Sequence, residues 1–354
     1  MKLLHIFTNP YRWMVAASAL TLLSGCNNGF VYEDLEQCNP RIRLSYTYNM
    51  EFDELREEQV QDSKVFLFGS DNALADYIPV TKAQLQKDDF YIPVSNVVAD
   101  EKYDVLTWCG LESNPAADLN QDIDESRGTR SEDAFGVTLS NNNGVITSEL
   151  TPIHYGREPM QFALTTHEVY EIPLTKDTNT IRVQLGKVLD PSKFDVYIVD
   201  KNDELDSNND PLNADVQVIY RPVPSLTQTN VDVDIPDGNG GVTGEKVKGS
   251  ILTFHTSRLF DPASVHPENG EILARIVIKD KVQNKTVIDE PLGKFLLTSK
   301  PGGMAPDGQH WTTKADQEYL DREDTYDAVF LIEDYLHLSV FINGWRVVIQ
   351  NVEL

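Results

Sequence analysis

Cysteine, basic residues and long apolar runs are all scarce in this sequence. Cysteine occurs only at Cys26, Cys38 and Cys109, which excludes a disulfide-dense scaffold and a four-cysteine metal site. Lys and Arg number 30 against 56 Asp and Glu, for a formal charge of −26 and a pI near 4.5. A surface of that sign repels polyanions, so no nucleic-acid partner is expected and no electrostatic grip on an acidic membrane. The one concentrated apolar run, Trp13 to Leu23, has eleven residues. As a helix it would cover about 16 Å, whereas crossing a bilayer takes about 20 residues.

Catalytic signatures are missing as well. There is no Gly-x-Ser-x-Gly elbow, His-Glu-x-x-His pair, phosphate loop or dinucleotide glycine fingerprint. The seven histidines (5, 154, 167, 255, 266, 310 and 337) are scattered without metal-ligand spacing. No catalytic residue, cofactor or metal ligand is assigned, and the chain is not expected to be an enzyme.

What is present begins with the N-terminal 25 residues. Lys2, His5 and Arg12 precede the apolar run, which ends in Leu23-Ser24-Gly25-Cys26. This reads as a signal peptide, and its last four residues resemble a bacterial lipobox, with Cys26 as the lipidated residue of the mature chain. Two or more acyl chains anchor a protein stably where one is marginal. Cleavage before Cys26 removes Lys2 and Arg12 and no acid, leaving 28 basic against 56 acidic residues, or −28. The other two cysteines form an even pair in an oxidising compartment, so Cys38 and Cys109 are expected to form a disulfide; two buried free thiols are the alternative. A bridge closing about 70 residues would contribute roughly 4 kcal/mol through the unfolded chain.

The body is rich in strand signals and poor in helical periodicity. Apolar or aromatic residues fill the even positions from Ile42 to Met50, the pattern of a half-buried strand. Further strand runs are Val65–Phe68, Asp104–Trp108, Gly144–Leu150, Thr180–Leu185, Phe194–Val199, Val216–Tyr220, Ile251–His255, Ile272–Lys279 and Val329–Ile332. Short helices are expected at Asp53–Gln61, Thr81–Gln86 and Asp316–Leu320. The chain closes with a hairpin, Leu336–Ile342 and Trp345–Val352 about Asn343-Gly344, a pair suited to a type I′ turn. Many short strands with Asn, Asp, Gly and Pro connections indicate an all-β fold of sandwiches. The expected organisation is signal peptide 1–25, tether 26–38, and two β domains, 39–170 and 171–354.

Acidic stretches at Asp118–Glu125, Asp200–Asp210 and Asp232–Asp237 place oxygens at alternate positions, as calcium loops do. The first departs from an EF-hand at Ile123 and Thr129, and solvated loops are the simpler reading of all three. Arg127-Gly-Thr-Arg130 is an ordinary nick site and is given no role.

Several segments together resemble one family. They are Asp34-Leu-Glu-Gln-Cys38, Tyr46-Thr-Tyr-Asn-Met50, Tyr103-Asp-Val-Leu-Thr-Trp-Cys-Gly-Leu111 and Ile153-His-Tyr-Gly156, then Thr178-Asn-Thr-Ile-Arg-Val183, Glu318-Tyr-Leu-Asp-Arg-Glu-Asp324 and Phe341-Ile-Asn-Gly-Trp345. In this order, behind a lipobox, they resemble the fimbrillin-associated anchor lipoproteins of Bacteroidales. The resemblance implies two tandem transthyretin-like β-sandwich domains with few short helices, attachment to the outer membrane through lipid on Cys26, exposure at the cell surface, and a role fixing a type V pilus at its base and influencing its length. The implied partner is a fimbrial (pilin) subunit joined by β-strand pairing, with Ile42–Met50 and Trp345–Val352 as the strands to inspect; completing their own sandwiches is the alternative for both. The competing function is a surface lipoprotein that binds glycan or another nutrient. Trp311, beside Gly302-Gly303 and Pro306-Asp-Gly308, is its loop candidate, while Trp108 and Trp345 sit in strand runs where core packing is the default.

Overall fold

In a computed structural model of the chain, residues 39–87, 90–120, 135–163, 168–212, 216–261, 274–302, 315–334 and 337–348 are described. Residues 1–25, expected to be a signal peptide, and Cys26 and Cys38 lie outside them.

The fold is all-β, with few short helices. The first half contributes β1 (Arg41–Ser45), β2 (Ser63–Phe68), β3 (Leu74–Val80), β4 (Ile92–Pro93), β5 (Lys102–Cys109), β6 (Ala117–Leu119), β7 (Val137–Leu139), β8 (Val145–Ile146), β9 (His154–Gln161), β10 (Val169–Pro173) and β11 (Thr175–Lys176). The second contributes β12 (Thr178–Gly186), β13 (Phe194–Asp200), β14 (Glu204–Leu205), β15 (Val218–Tyr220), β16 (Gln228–Pro236), β17 (Val242–Ser257), β18 (Arg275–Asp280), β19 (Lys285–Pro291), β20 (Thr325–Asp334), β21 (His337–Ile342) and β22 (Trp345–Val347). Helices α1 (Arg56–Gln59), α2 (Lys82–Leu85), α3 (Leu292–Leu296) and α4 (Ala315–Arg322) are one to two turns long. None is long and apolar enough to cross a membrane.

The N-terminal sandwich packs the sheet β10-β1-β4 on the sheet β11-β9-β5-β2-β3. Alternation along β5 divides its side chains between two cores. Tyr103, Val105 and Cys109 join Ile42, Leu44 and Ile172 between the sheets, whereas Leu106 and Trp108 face the opposite way. That second face is also buried, because Phe66, Phe68 and Trp108 pack on Phe135 and Val137 and continue into the core of the C-terminal sandwich. The double burial explains the near-continuous apolar runs of β2 and β5.

The C-terminal sandwich stacks β16-β17-β12-β20-β21-β22 on β19-β18-β13-β15-β8. Two strand pairings stitch the halves together: β8 runs parallel to β15, and β14 completes the small sheet β14-β7-β6. The strand that crosses residue 170 pairs with β1, and Thr178 opens the second sandwich.

Several sequence expectations shift. The Ile42–Met50 strand stops at Ser45, because the buried Asn49 side chain donates to the carbonyls of Tyr46 and Asp53 and folds the chain into a loop. The alternation beyond Ser45 has another purpose, as Tyr46 packs edge-on against His154 at 4.6 Å and Tyr48 lies on Arg322. Gly144–Leu150 keeps only the two-residue β8. The Asp53–Gln61 helix is reduced to one turn, while α2 starts at a Thr81/Gln84 capping box. At the terminal hairpin Asn343 and Gly344 have φ of 46° and 82°, as a type I′ turn requires.

Candidate functional site

Two features are candidates: the joint between the sandwiches and the strand edges open to a partner. The joint is built from polar side chains that the fold brings together from distant positions. The loop from Asp200 to Leu212 is mostly polar, yet Asp200, Asn202, Asp203, Ser207 and Asn209 are buried, so their groups must be satisfied internally. Asn202 accepts from the Tyr220 hydroxyl at 2.7 Å and donates to the Arg258 carbonyl at 2.7 Å. The Asp206 carboxylate caps its own turn, accepting from the Asn208 and Asp210 amides. From the N-terminal sandwich, Tyr155 and Arg157 donate to the Ser207 carbonyl at 3.0 and 3.2 Å.

Arg258 sits at the centre. Its guanidinium makes a two-pronged pair with Asp321 at 2.9 Å and donates to the Asn209 carbonyl at 2.8 Å. Asp177, in the connection between the halves, accepts from Asn209 Nδ2 at 2.9 Å and lies 4.0 Å from Arg258. Burial raises its carboxyl to about 7, with Arg258 and Asn209 pulling the other way. Asp200, also fully enclosed, is likewise raised to about 7 by burial. Next to Asp177, Lys176 pairs with Asp324.

A second contact crosses the joint. Arg322 of α4 lies over the rings of Tyr48 and Phe52, at 4.1 and 4.4 Å from their centroids, and donates to the Asn49 carbonyl at 3.2 Å and to Glu318 at 3.1 Å. Phe52 holds φ at 56°, a left-handed value uncommon for an aromatic residue.

The acidic stretches therefore have structural uses. Asp232 and Asp234 pair across β16–β17 with Lys248 and Lys246 at 2.7 and 3.1 Å, and Asp237 caps the hairpin tip. Asp203 accepts from Asn141. Among the described residues no cluster of His, Cys, Asp or Glu could hold a metal ion; residues 121–125 of the first stretch lie outside them.

Most strand edges are closed. Pro79 removes an outward amide from β3, and the neighbouring outward amide, that of Tyr77, is taken by Asp76. Pro93 does the same for β4, and on β19 the outward carbonyl of Asp289 is held by Arg275. β16 carries two irregularities of register, and the tip of its hairpin folds back onto the Trp345 turn: Gly240 donates to the Gly344 carbonyl and Arg346 to that of Gly238. Gly240 leaves room for the Trp345 ring, which would lie 2.9 Å from any Cβ there. The Trp345 strand is thus occupied at its start, and Trp345 is 44 % exposed instead of packed in the core; residues 349–352 lie outside the description. The early strand β1 is paired along its length with β10 and at Arg41 and Ile42 with β4. An edge that stays open is that of β10, where the exposed Val169 and Glu171 point their backbone groups away from β1 and pair with no other strand among the described residues.

Of the predicted site residues, Cys109 is described. It is a fully buried thiol with no disulfide partner among the described residues, at the end of β5, opposite His154 and 3.7 Å from the Thr107 hydroxyl; burial pushes it up to about 12. Trp311 and the Arg127–Arg130 segment lie outside the description. The joint carried no sequence signal beyond its excess of Asp and Asn.

Among solved structures, a candidate adhesin from Bacteroides ovatus superposes with a TM-score of 0.70 at 21% identity, covering 89% of this chain and 97% of that one. A candidate adhesin from Bacteroides thetaiotaomicron gives 0.69 at 22%, covering 89% and 99%. The fimbrial anchor protein Mfa2 from Porphyromonas gingivalis gives 0.58 at 12%, covering 87% and 98%. At these identities the likeness is one of fold, and no curated protein matches the sequence. A family model, however, matches residues 35–351, most of the chain, and by that match the protein belongs to the fimbrillin-A associated anchor proteins Mfa1 and Mfa2.

Proposed function

We propose that the chain is a non-catalytic anchor that fixes a fimbria at its base and influences its length. It would be held in the outer membrane at the cell surface by lipid on Cys26 once residues 1–25 are removed. The family match over residues 35–351 carries this reading, and the two sandwiches joined by a buried polar network suit a part that holds instead of reacting. The partner is a fimbrial subunit adding an extended segment, for which the β10 edge at Val169 and Glu171 offers backbone groups. Deleting the gene should leave fimbriae shed or altered in length by microscopy; firmly attached fimbriae of normal length would end the reading. Cys26→Ala should move the protein to the soluble fraction with its fold intact.

The Cys38–Cys109 bridge is a separate part of the proposal. It asks the segment before Asn39 to reach back along β1 to the His154 end of the core. Peptide mapping without reduction should yield the linked pair, and a free Cys109 would remove the bridge without touching the anchor. The exposed ring of Trp345 favours testing the glycan reading as well. Specific glycan-array binding lost in Trp345→Ala or Trp311→Ala would support it.

A further inference from the structure

A pull on the chain ahead of Asn39 meets the fold first at β1. That strand is parallel to β10, with Arg41 opposite Val169 and Ser45 opposite Pro173. Bonds from the Arg41 amide to the Glu168 carbonyl at 3.3 Å and from the Leu174 amide to the Ser45 carbonyl at 2.8 Å close the ends of this ladder. In a parallel ladder every second residue faces the partner, so the amides of Arg41, Arg43 and Ser45 point at β10. β10 then leaves through β11 directly into β12, the first strand of the C-terminal sandwich. Tension between the N-terminal end and that sandwich pulls β1 at its start and β10 at its finish, which are opposite ends of one ladder. The rungs between are loaded together, in shear, and must fail together. An antiparallel hairpin pulled at its open end fails one rung at a time.

The segment that follows β1 makes the second connection. Tyr48, Phe52 and the Asn49 carbonyl grip Arg322 of the C-terminal sandwich, so load passes across the joint without relying on residues 174–178 alone. Lys176 and Asp324 fasten that connection.

We infer that the N-terminal sandwich is a tension-bearing coupler, whose sheared β1–β10 ladder and Arg322 clamp resist force applied at the chain's N-terminal end. Its biological setting rests on the lipid-anchor reading, whereas the mechanical strength belongs to the chain itself. The test is single-molecule pulling of the full chain, with handles at the N-terminal end and at Val282, which is 74 % exposed in the turn after β18. Arg43 has an exposed side chain whose one ion pair, with Glu54, is at 4.0 Å. Arg43→Ala therefore spares the ladder, and Arg43→Pro deletes one rung. Arg43→Pro should lower the rupture force at least twofold, with Arg43→Ala and the outward-facing Glu171→Pro staying within a fifth of the parent. Equal forces for Arg43→Pro and the parent overturn the inference. Should Arg43→Pro not fold, Arg322→Ala decides: separation of the sandwiches as a distinct early step, with faster tryptic cleavage after Lys176, supports the clamp, and a single step like the parent's refutes it. Weak rupture together with fimbriae lost on gene deletion would end this inference and keep the anchor reading; strong rupture with fimbriae unaffected would do the reverse.

Discussion

Asp177→Asn isolates the electrostatics of the joint. The residue is 2 % exposed, and burial moves its carboxyl from 3.8 to about 7. An acid with a raised folded-state pKa holds its proton more firmly in the folded chain than in the unfolded one. Between about pH 4 and 7 the folded state therefore binds more protons, and stability falls as pH rises through that window. At 1.36 kcal/mol per pH unit the displacement is worth about 4 kcal/mol, complete by pH 7 and constant above it. The variant keeps the shape and the acceptor for Asn209 Nδ2 but cannot ionise. Its stability relative to the parent should rise by about 4 kcal/mol between pH 4 and 8, measured by guanidinium unfolding at each pH with Trp108 fluorescence as the probe. The comparison must be differential, because other groups titrate in the same range. Asp200 acts in the same direction as Asp177, whereas the fully buried His154, lowered to about 3 by burial, contributes stability that is present above pH 6.5 and lost as the pH falls toward 3. A variant curve parallel to the parent's from pH 4 to 8 would refute the argument and show Asp177 ionised in the fold, with Arg258 as its counter-ion.

Three further outcomes are expected. Gly110→Ala should destabilise by about 3 kcal/mol or more in thermal or chemical unfolding, because φ is 83° and the new Cβ would meet the Pro152 carbonyl oxygen at 2.1 Å; a loss under 1 kcal/mol would mean the 110–152 contact relaxes freely. Trp108→Phe removes a buried bond from the indole to the Phe135 carbonyl at 3.1 Å as well as ring volume, so a loss of about 2–3 kcal/mol is expected in the same assay, and a neutral result would contradict the double burial of β5. Lys248→Ala, by contrast, breaks a pair whose side chains are 55% and 54% exposed, and should change stability by less than about 1 kcal/mol in low salt and less still in 1 M salt.

How far the sequence spoke for the fold depended on how each strand is covered. β2, β5 and β12 carry apolar residues dense enough to be read directly. β9 was missed because Gly156, Arg157 and Pro159 break its pattern, and each has a tertiary reason or a tolerated place: the side chains of Ile172 and Leu174 fill the space beside Gly156, and Arg157 pairs with Asp104 at 3.0 Å. β16 was read as an acidic loop, because its carboxylates find their lysines only once the hairpin forms. The joint was illegible for a plainer reason. Arg322 meets Asn49 across 273 residues and Arg258 meets Asp321 across 63, so no local window contains both partners. The motif Trp108-Cys-Gly-Leu111, by contrast, owes its glycine to a backbone conformation that no other residue adopts comfortably.

The contact between Gly240 and Gly344 gives the C-terminal sheet a consequence beyond its own stability. An exposed sheet edge is a template that will align whatever extended chain meets it, including another copy of itself. By curling the β16–β17 hairpin onto the Trp345 turn, this sheet uses up its own template there. A second chain could pair at that turn only after the hairpin tip, held by the Gly240–Gly344 and Arg346–Gly238 bonds, had been peeled away.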